Sequence, residues 1–351
     1  MTSTVKRVFH VRYLAHVCYA EILAERSDIR LDKLDPNAGE DLAVPILEAA
    51  HAYQVGSARD ETPVAFHAHR ELLKRCPNLL IVSTGGAGFD TVNVADCTDA
   101  GVLVVNQVGG NAEAVAQHVL AMMLTLAKKI AQTDHALRKG TMADRNAYMG
   151  DEVQGRTIGI IGFGHIGQRI AELCQGLLGM NVIACDPFVD ADAMAQRGVR
   201  KAELDTLLGQ ADYVSVNCPL EDATRGMIGA REFALMKPTA YFITTARGFI
   251  HDEKALLEAL SEGTIAGAGL DVWDKEPPPM SHPLLQFDNV LASPHTAGVT
   301  HEARRNMGTI AAEQLILALD GGRPPRIVNP QVWPAYCERF ERILGTRPRD
   351  I

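Results

Sequence analysis

The sequence is short of positive charge: 34 lysines and arginines stand against 43 aspartates and glutamates, a net charge of −9. Such a surface repels phosphodiester backbones and anionic bilayers alike, so neither a nucleic-acid nor a membrane partner is expected. The arginines near the end, Arg323 to Arg349, are interleaved with acids and prolines and read as solvated surface. No apolar run is long enough to span a bilayer, and the opening Met-Thr-Ser-Thr-Val-Lys-Arg lacks the apolar core of a secretory signal. Cysteine pairing signals are missing too. The seven cysteines (18, 76, 97, 174, 185, 218 and 337) are an odd number without a CxxC pair, so reduced thiols and a cytoplasmic setting are expected. Cys174, Cys185 and Cys218 lie in apolar segments and read as small core residues. His67 and His69 are the one close histidine pair; on a helix they would face apart, so no metal site is expected. There is no internal repeat, low-complexity tract or Gly/Ser linker. What is left is a chain of 351 residues, 47% hydrophobic, long enough for two domains of ordinary size.

What the sequence does have is a complete βαβ unit over residues 156–186. Thr157 to Ile161 is a short β-branched run that suits a strand buried on both faces. It enters Gly162-x-Gly164-x-x-Gly167, after which Ile166, Ile170, Leu173, Cys174 and Leu177 recur at helical spacing until Gly179. Asn181 to Cys185 forms a second strand ending on Asp186. Gly162 permits the tight turn, Gly164 lets backbone approach a pyrophosphate, and Gly167 lets helix and strand pack closely. The helix start then offers unpaired N–H groups and partial positive charge to phosphates. Asp186 is placed to accept hydrogen bonds from both hydroxyls of an adenosine ribose, and its charge would repel a 2′-phosphate. NAD is therefore the expected cofactor, ahead of NADP.

The rest of the chain alternates in the same way. Val5–Val11 reads as an opening strand, and helices are expected over 19–26, 42–50 and 63–76, with strands over 79–82 and 101–106. Asn111 to Lys139 is the longest helical pattern, so apolar that burial between domains or subunits is expected for it, an ordinary one-sided helix being the equal alternative for its second half. Later strands are expected over 213–218, 240–244, 265–270 and 290–292, and a helix over 300–320. The segment beyond Val328 carries Trp333, Tyr336 and Phe340 and should pack. The class is α/β, with two doubly wound parallel sheets.

Three strand ends hold polar groups that a core would not choose. Arg247 follows the run 240–244; Asp271 and Glu276 precede a triple proline after 265–270; His295 lies between the strand 290–292 and the next helix. A guanidinium fork can hold a substrate carboxylate by paired hydrogen bonds. An imidazole can take a hydroxyl proton as hydride leaves the same carbon, and a neighbouring carboxylate orients that imidazole and favours its charged form. Arg247, His295 and Glu276 fit these roles.

These motifs, with Gly-Gly-Ala-Gly-Phe-Asp at 85–90, Asn217-Cys218-Pro219-Leu220, Thr-Ala-Arg-Gly at 245–248, Asp-Val-Trp-x-x-Glu-Pro at 271–277 and Ser-Pro-His-Thr-Ala-Gly at 293–298, resemble the D-isomer-specific 2-hydroxyacid dehydrogenase family. That family includes D-3-phosphoglycerate dehydrogenases, glycerate dehydrogenases and hydroxypyruvate reductases, and the resemblance runs from about residue 78 to 330. It implies a Rossmann NAD domain, residues 107–298, inserted into a flavodoxin-like substrate domain made of residues 1–106 and 299–351, with the active site in the cleft between them. It places Arg247, Glu276 and His295 in the catalytic positions. Cofactor contacts fall to Gly162, Gly164, His165, Ile166, Gly167, Asp186, Pro219, Thr224, Thr245, Ala246, Arg247, Asp271, His295 and Gly298. Backbone N–H groups of Gly86, Ala87 and Gly88 would meet the substrate carboxylate, alongside Arg247 and His295, and the segment 111–139 resembles the family's dimerising region, implying a homodimer.

The implied reaction is reversible hydride transfer between NAD and C2 of a D-2-hydroxy acid, of the 3-phosphoglycerate, glycerate/hydroxypyruvate or glyoxylate type. Two departures stand out: Asn106-Gln107-Val108 replaces the family's common Asn-x-Pro, and Gln117 stands where a Glu usually precedes His118. A formate dehydrogenase on this fold resembles a His–Gln pairing, which Glu276 disfavours. An NAD-sensing interaction protein of the corepressor type, which carries a similar triad, is the alternative of another class.

Overall fold

In a computed structural model, residues 5–12, 14–59, 61–142 and 144–349 are described. The chain divides into two units, residues 1–111 with 300–351, and residues 112–299. The expected breaks after 106 and 298 lie near these divisions.

Unit 1 begins with β1 (Lys6–Val11), α1 (Cys18–Ala24), β2 (Ile29–Leu34), α2 (Glu40–Ala49), β3 (Ala52–Val55), α3 (Arg70–Arg75), β4 (Ile81–Thr84), α4 (Val94–Asp99) and β5 (Leu103–Val105). The strands form a parallel sheet in the order β2-β1-β3-β4-β5, the flavodoxin-like arrangement. Neighbouring residues on each strand face opposite cores. Val8, Ala52, Ile81 and Leu103 lie in one cluster; Phe9, Tyr53, Val82 and Val104 lie in the other. Burial on both faces is why these strands read as unbroken apolar runs. The helix expected over 63–76 is interrupted. Ala68 is drawn into an extended bridge with Val92, giving its N–H to Thr91 O (2.8 Å) and accepting from Asn93 N (2.9 Å), so only a single 3-10 turn (Val64–Phe66) and α3 remain. His67 and His69 therefore do not share a helix.

Unit 2 runs through α5 (Ala112–Ala127), α6 (Ile130–Lys139), β6 (Thr157–Ile161), α7 (His165–Gly176), β7 (Asn181–Cys185), α8 (Ala191–Ala195), β8 (Arg200–Lys201) and α9 (Leu204–Gln210). It continues with β9 (Tyr213–Val216), α10 (Ala230–Leu235), β10 (Tyr241–Thr244), α11 (Glu253–Ser261), β11 (Gly267–Leu270) and β12 (Val290–Ala292). Its seven strands are parallel in the order β12-β11-β10-β9-β6-β7-β8, with a core on each face. The one long helix expected over 111–139 is two, bent by 60°. Lys129 turns left-handed (φ 54°), and the Ala127 carbonyl accepts from Asp151 N (2.8 Å), so the first helix ends there. No single helix among the described residues is long and apolar enough to cross a membrane.

The chain then returns to unit 1 with α12 (His301–Leu319), capped by Thr300 Oγ1 accepting from Ala303 N (3.1 Å), and α13 (Trp333–Leu344). Their apolar residues, among them Ala311, Leu315, Tyr336 and Phe340, complete the first core of unit 1.

Candidate active site

The order of the seven-stranded sheet reverses at β6, whose neighbours are β7 on one side and β9 on the other, and a crevice opens outside the strand ends at such a switch point. The glycine fingerprint lies there. Gly162 has φ 90°, and a Cβ on it would meet Cys218 N at 2.6 Å, so the turn out of β6 admits glycine alone without strain. A Cβ on Gly167 would strike the Gly162 carbonyl. Gly164, at the start of α7, has nothing within 4 Å of where its Cβ would stand. Packing does not require glycine at that point, whereas a close pyrophosphate does. His165 and Ile166 follow in the first turn, where N–H groups lack intrahelical partners.

Asp186 ends β7. Its Oδ2 accepts from Phe163 N (2.8 Å) and its Oδ1 from Phe188 N (2.8 Å). Each carboxylate oxygen keeps acceptor capacity for a ribose hydroxyl, and the two backbone bonds fix the group beside the glycine turn. Pro219 is exposed on the loop after β9, and Thr224 builds that loop: its Oγ1 donates to Pro219 O (2.7 Å) and accepts from Glu221 N (2.8 Å). These groups fit a dinucleotide.

Arg247, Glu276 and His295 follow the adjacent strands β10, β11 and β12. Parallel neighbours end side by side, which is how residues so far apart in the sequence are brought together. His295 Nδ1 lies 2.8 Å from Glu276 Oε2, while Glu276 Oε1 accepts from Trp273 N (3.0 Å). That leaves Nε2 of the imidazole as the reactive nitrogen. Burial alone would push the His295 pKa down. The hydrogen bond and charge of Glu276 outweigh that, so it is raised above the ordinary 6.5, with the Arg247 charge opposing. Burial would push Glu276 up, but His295, the Trp273 N–H and Arg247 hold it below the usual carboxylate range. The Arg247 guanidinium is braced by its Nη1 on Ala246 O (2.7 Å), beside Thr245, which is buried. A Cβ on Gly248 would strike the Trp273 carbonyl, so the arginine's turn is packed against the loop that carries Glu276.

Asp271 does more than its position suggests. It is fully buried; its Oδ1 accepts from Ser293 Oγ (2.6 Å) and Thr296 N (2.8 Å), and its Oδ2 from Ala297 N (2.9 Å). Its carbonyl accepts from His295 N (2.7 Å), and His295 itself is left-handed (φ 55°). One carboxylate thus builds the turn, running on to Gly298, that aims the imidazole. Ser293 Oγ also lies 3.0 Å from His118 Nε2 on α5. Ser293 opens the motif at 293–298 and His118 follows Gln117, but nothing in the sequence announces that the two side chains meet.

In unit 1 the loop 86–88 is held by its carbonyls. Gly86 O accepts from Gln107 N (2.9 Å) and Thr84 Oγ1 (2.8 Å), and Ala87 O from Asn106 Nδ2 (2.9 Å). Gln107, where the family pattern is broken, is wholly buried and bonded: its Nε2 donates to Ser83 Oγ (3.1 Å) and Thr84 O (2.9 Å). Gln117, the other departure, donates to Glu113 Oε1 (2.7 Å) on its own helix. Among the described residues no three His, Cys, Asp or Glu side chains gather to hold a metal.

Residues 120–297 match the model of the D-isomer specific 2-hydroxyacid dehydrogenase NAD binding domain. The chain is 39% identical over 287 residues to a D-3-phosphoglycerate dehydrogenase of Archaeoglobus fulgidus, covering 82% of this chain and 53% of that protein. It is 36% identical over 319 residues to a glyoxylate reductase of Aeropyrum pernix, covering 89% and 92%. The chain spans about half the length of the D-3-phosphoglycerate dehydrogenases it matches. Among solved structures, a glyoxylate reductase from Paecilomyes thermophila superposes with TM-score 0.82 at 26% identity, covering 94% of this chain and all of that one. A D-lactate dehydrogenase from Aquifex aeolicus, complexed with NAD and lactic acid, gives 0.77 at 26% identity, covering 92% and 98%. With a family model matching half of its length and a relative 36% identical over 89% of it, the chain belongs to the D-isomer-specific 2-hydroxyacid dehydrogenase family.

Proposed function

We propose that the protein is an NAD-dependent oxidoreductase acting between C2 of a D-2-hydroxy acid and the corresponding 2-oxo acid. The observation that carries this reading is the 2.8 Å contact between His295 Nδ1 and Glu276 Oε2, with the Arg247 charge close enough to influence both. Bound NADH supplies the hydride that C2 receives. Arg247 holds the substrate carboxylate and turns the oxo oxygen towards the imidazole. His295, kept protonated by Glu276, donates its Nε2 proton to that oxygen as the carbonyl is reduced, and in the oxidative direction takes it back from the hydroxyl. Asp271 holds the turn that aims the ring. Backbone N–H groups of residues 86–88 add donors to the substrate carboxylate.

The physiological form in this reading is a cytoplasmic homodimer. Exposed Ile130 and Leu137 on α6, with Met142 and Met149 beyond it, support an apolar face for a second copy, and seven cysteines outside any disulfide support a reducing compartment.

The test is loss of NADH absorbance with glyoxylate, hydroxypyruvate, 3-phosphohydroxypyruvate, pyruvate and phenylpyruvate. Turnover of at least one supports the reading and separates it from an NAD-sensing interaction protein; turnover of none overturns it.

A further inference from the structure

Beyond β3, the chain of unit 1 turns back on itself around a carboxylate. The successive N–H groups of Ser57 and Ala58 converge on one oxygen, Oε2 of Glu61, at 2.7 and 3.1 Å, and Ser57 Oγ donates to the same atom at 3.2 Å. Consecutive backbone donors arranged in this way form a nest for an anion. Here the chain supplies the anion itself. Thr62 Oγ1 accepting from Gly56 N (3.2 Å) and Thr91 Oγ1 donating to Gly56 O (2.5 Å) fix the turn, and Arg304 Nη1 stands 3.7 Å from the other Glu61 oxygen.

This turn abuts the glycine loop. A Cβ on Gly86 would lie 2.9 Å from Ser57 Oγ, and Ser57 O accepts from Asp90 N (3.2 Å) at the loop's far end. Ser57 Oγ therefore occupies the side of Gly86 where a side chain would stand, and is bonded in turn to the Glu61 carboxylate.

We propose that Glu61 is a specificity-determining residue, restricting the enzyme to 2-oxo and 2-hydroxy acids whose tail beyond C2 carries no negative charge. This rests on the functional reading above, which gives residues 86–88 to the substrate. A phosphate or second carboxylate on the tail would find the nest's donors already bonded to Glu61 and would face a like charge one hydroxyl away. Arg304 offsets part of this charge from the side of the other Glu61 oxygen, at 3.7 Å, while Oε2 is the oxygen turned to Ser57, and Arg59 on the same turn is exposed to solvent. A hydrogen, methyl or hydroxymethyl tail meets no such repulsion, and a tail hydroxyl can bond with Ser57 Oγ. Specificity of this kind comes from a repulsive group set against the wrong substrate.

The test compares kcat/KM for hydroxypyruvate and 3-phosphohydroxypyruvate, with NADH at low ionic strength, in the unaltered protein, Glu61→Gln and Glu61→Asp. The ratio of the two constants cancels any loss of folded protein. The unaltered protein should favour hydroxypyruvate by about tenfold or more, Glu61→Gln should shrink that preference by about tenfold, and Glu61→Asp should retain most of it. A preference for the phosphorylated acid in the unaltered protein, or a ratio that Glu61→Gln leaves within about twofold, overturns the inference while leaving the functional reading intact. If the unaltered protein reduces neither acid, nor any of the others above, the functional reading falls and the inference falls with it.

Discussion

The two units share an architecture and spend their polar residues differently. In unit 2 three neighbouring strands end in ionisable side chains, Arg247, Glu276 and His295, held by short bonds yet partly open to solvent. In unit 1 the buried polar residues are mostly neutral amides and hydroxyls, and two of the amides tie the returning chain in place. Gln314 donates to Asn106 O and Gln107 Oε1 (3.0 Å each) and accepts from Arg326 N (3.0 Å). Asn329, wholly buried, accepts from Val104 N (2.8 Å) and donates to Val102 O (3.0 Å) and Thr98 Oγ1 (3.0 Å). These amides fasten the returning segment, residues 300 onward, to β5 and its flanks, a task that a continuous domain would not have. Under the proposed function, charge is placed where the reaction needs it. Neutral amides are placed where the chain must be joined to itself, since burying an unpaired charge there would cost far more.

Substitutions should separate the two uses. His295→Ala should lower turnover by roughly two to four orders of magnitude while leaving NADH affinity nearly intact, as read by fluorescence titration beside steady-state kinetics. Arg247→Ala should reduce kcat/KM by about a hundredfold, raising KM and lowering kcat together, because the lost fork both holds and orients the acid. Asp186→Ser should narrow an NADH over NADPH preference of about tenfold or more, since one pKa-unit equivalent of repulsion is about 1.4 kcal/mol; equal kcat/KM for both cofactors in the unaltered protein would refute the role given to this carboxylate. Gln314→Leu, in unit 1, should behave in the opposite manner. Leaving Arg326 N and Gln107 Oε1 without partners should cost on the order of 3 kcal/mol in urea unfolding, with NADH affinity unchanged. A catalytic defect without a stability defect in that variant would break the contrast between the units.

The comparison also explains what could be read in the sequence. Thr157–Ile161 with its glycines, Asp186, and the strand-end residues Arg247, Glu276 and His295 were legible because each depends on local order: a short apolar strand, then a polar residue that no core would take. The flavodoxin-like and Rossmann sheets followed from the alternation of strand and helix together with the family resemblance. Elements that depend on distant partners were hidden. Nothing local marks Lys129 as a left-handed break, because the group that ends the helix is Asp151 N. Nothing in Ala68 announces its bridge to Val92. Strands β2 and β3 are short or partly polar, and neither stood out. Gln107 looked like a defect in a motif and is a saturated buried amide, because its partners are Ser83, Thr84 and Gln314. The family resemblance assigned Asp271 to the cofactor side, but its hold on the His295 turn requires backbone geometry that sequence does not carry.

The central claim is that Glu276 keeps the His295 imidazole charged for proton donation, and the pH dependence of reductive kcat/KM in Glu276→Gln tests it most directly. In the unaltered protein the active, protonated imidazole persists below a pKa raised above 6.5, and the rate is lost as pH climbs through it. Glutamine keeps the size of the side chain but removes the neighbouring negative charge, so burial and the Arg247 charge, which both disfavour the imidazolium, go unopposed by it. The descending limb of the variant's profile should therefore move to lower pH, with the largest deficit near and above neutrality and partial recovery in acid. Superimposed profiles would contradict the account and leave Glu276 an ordinary loop carboxylate.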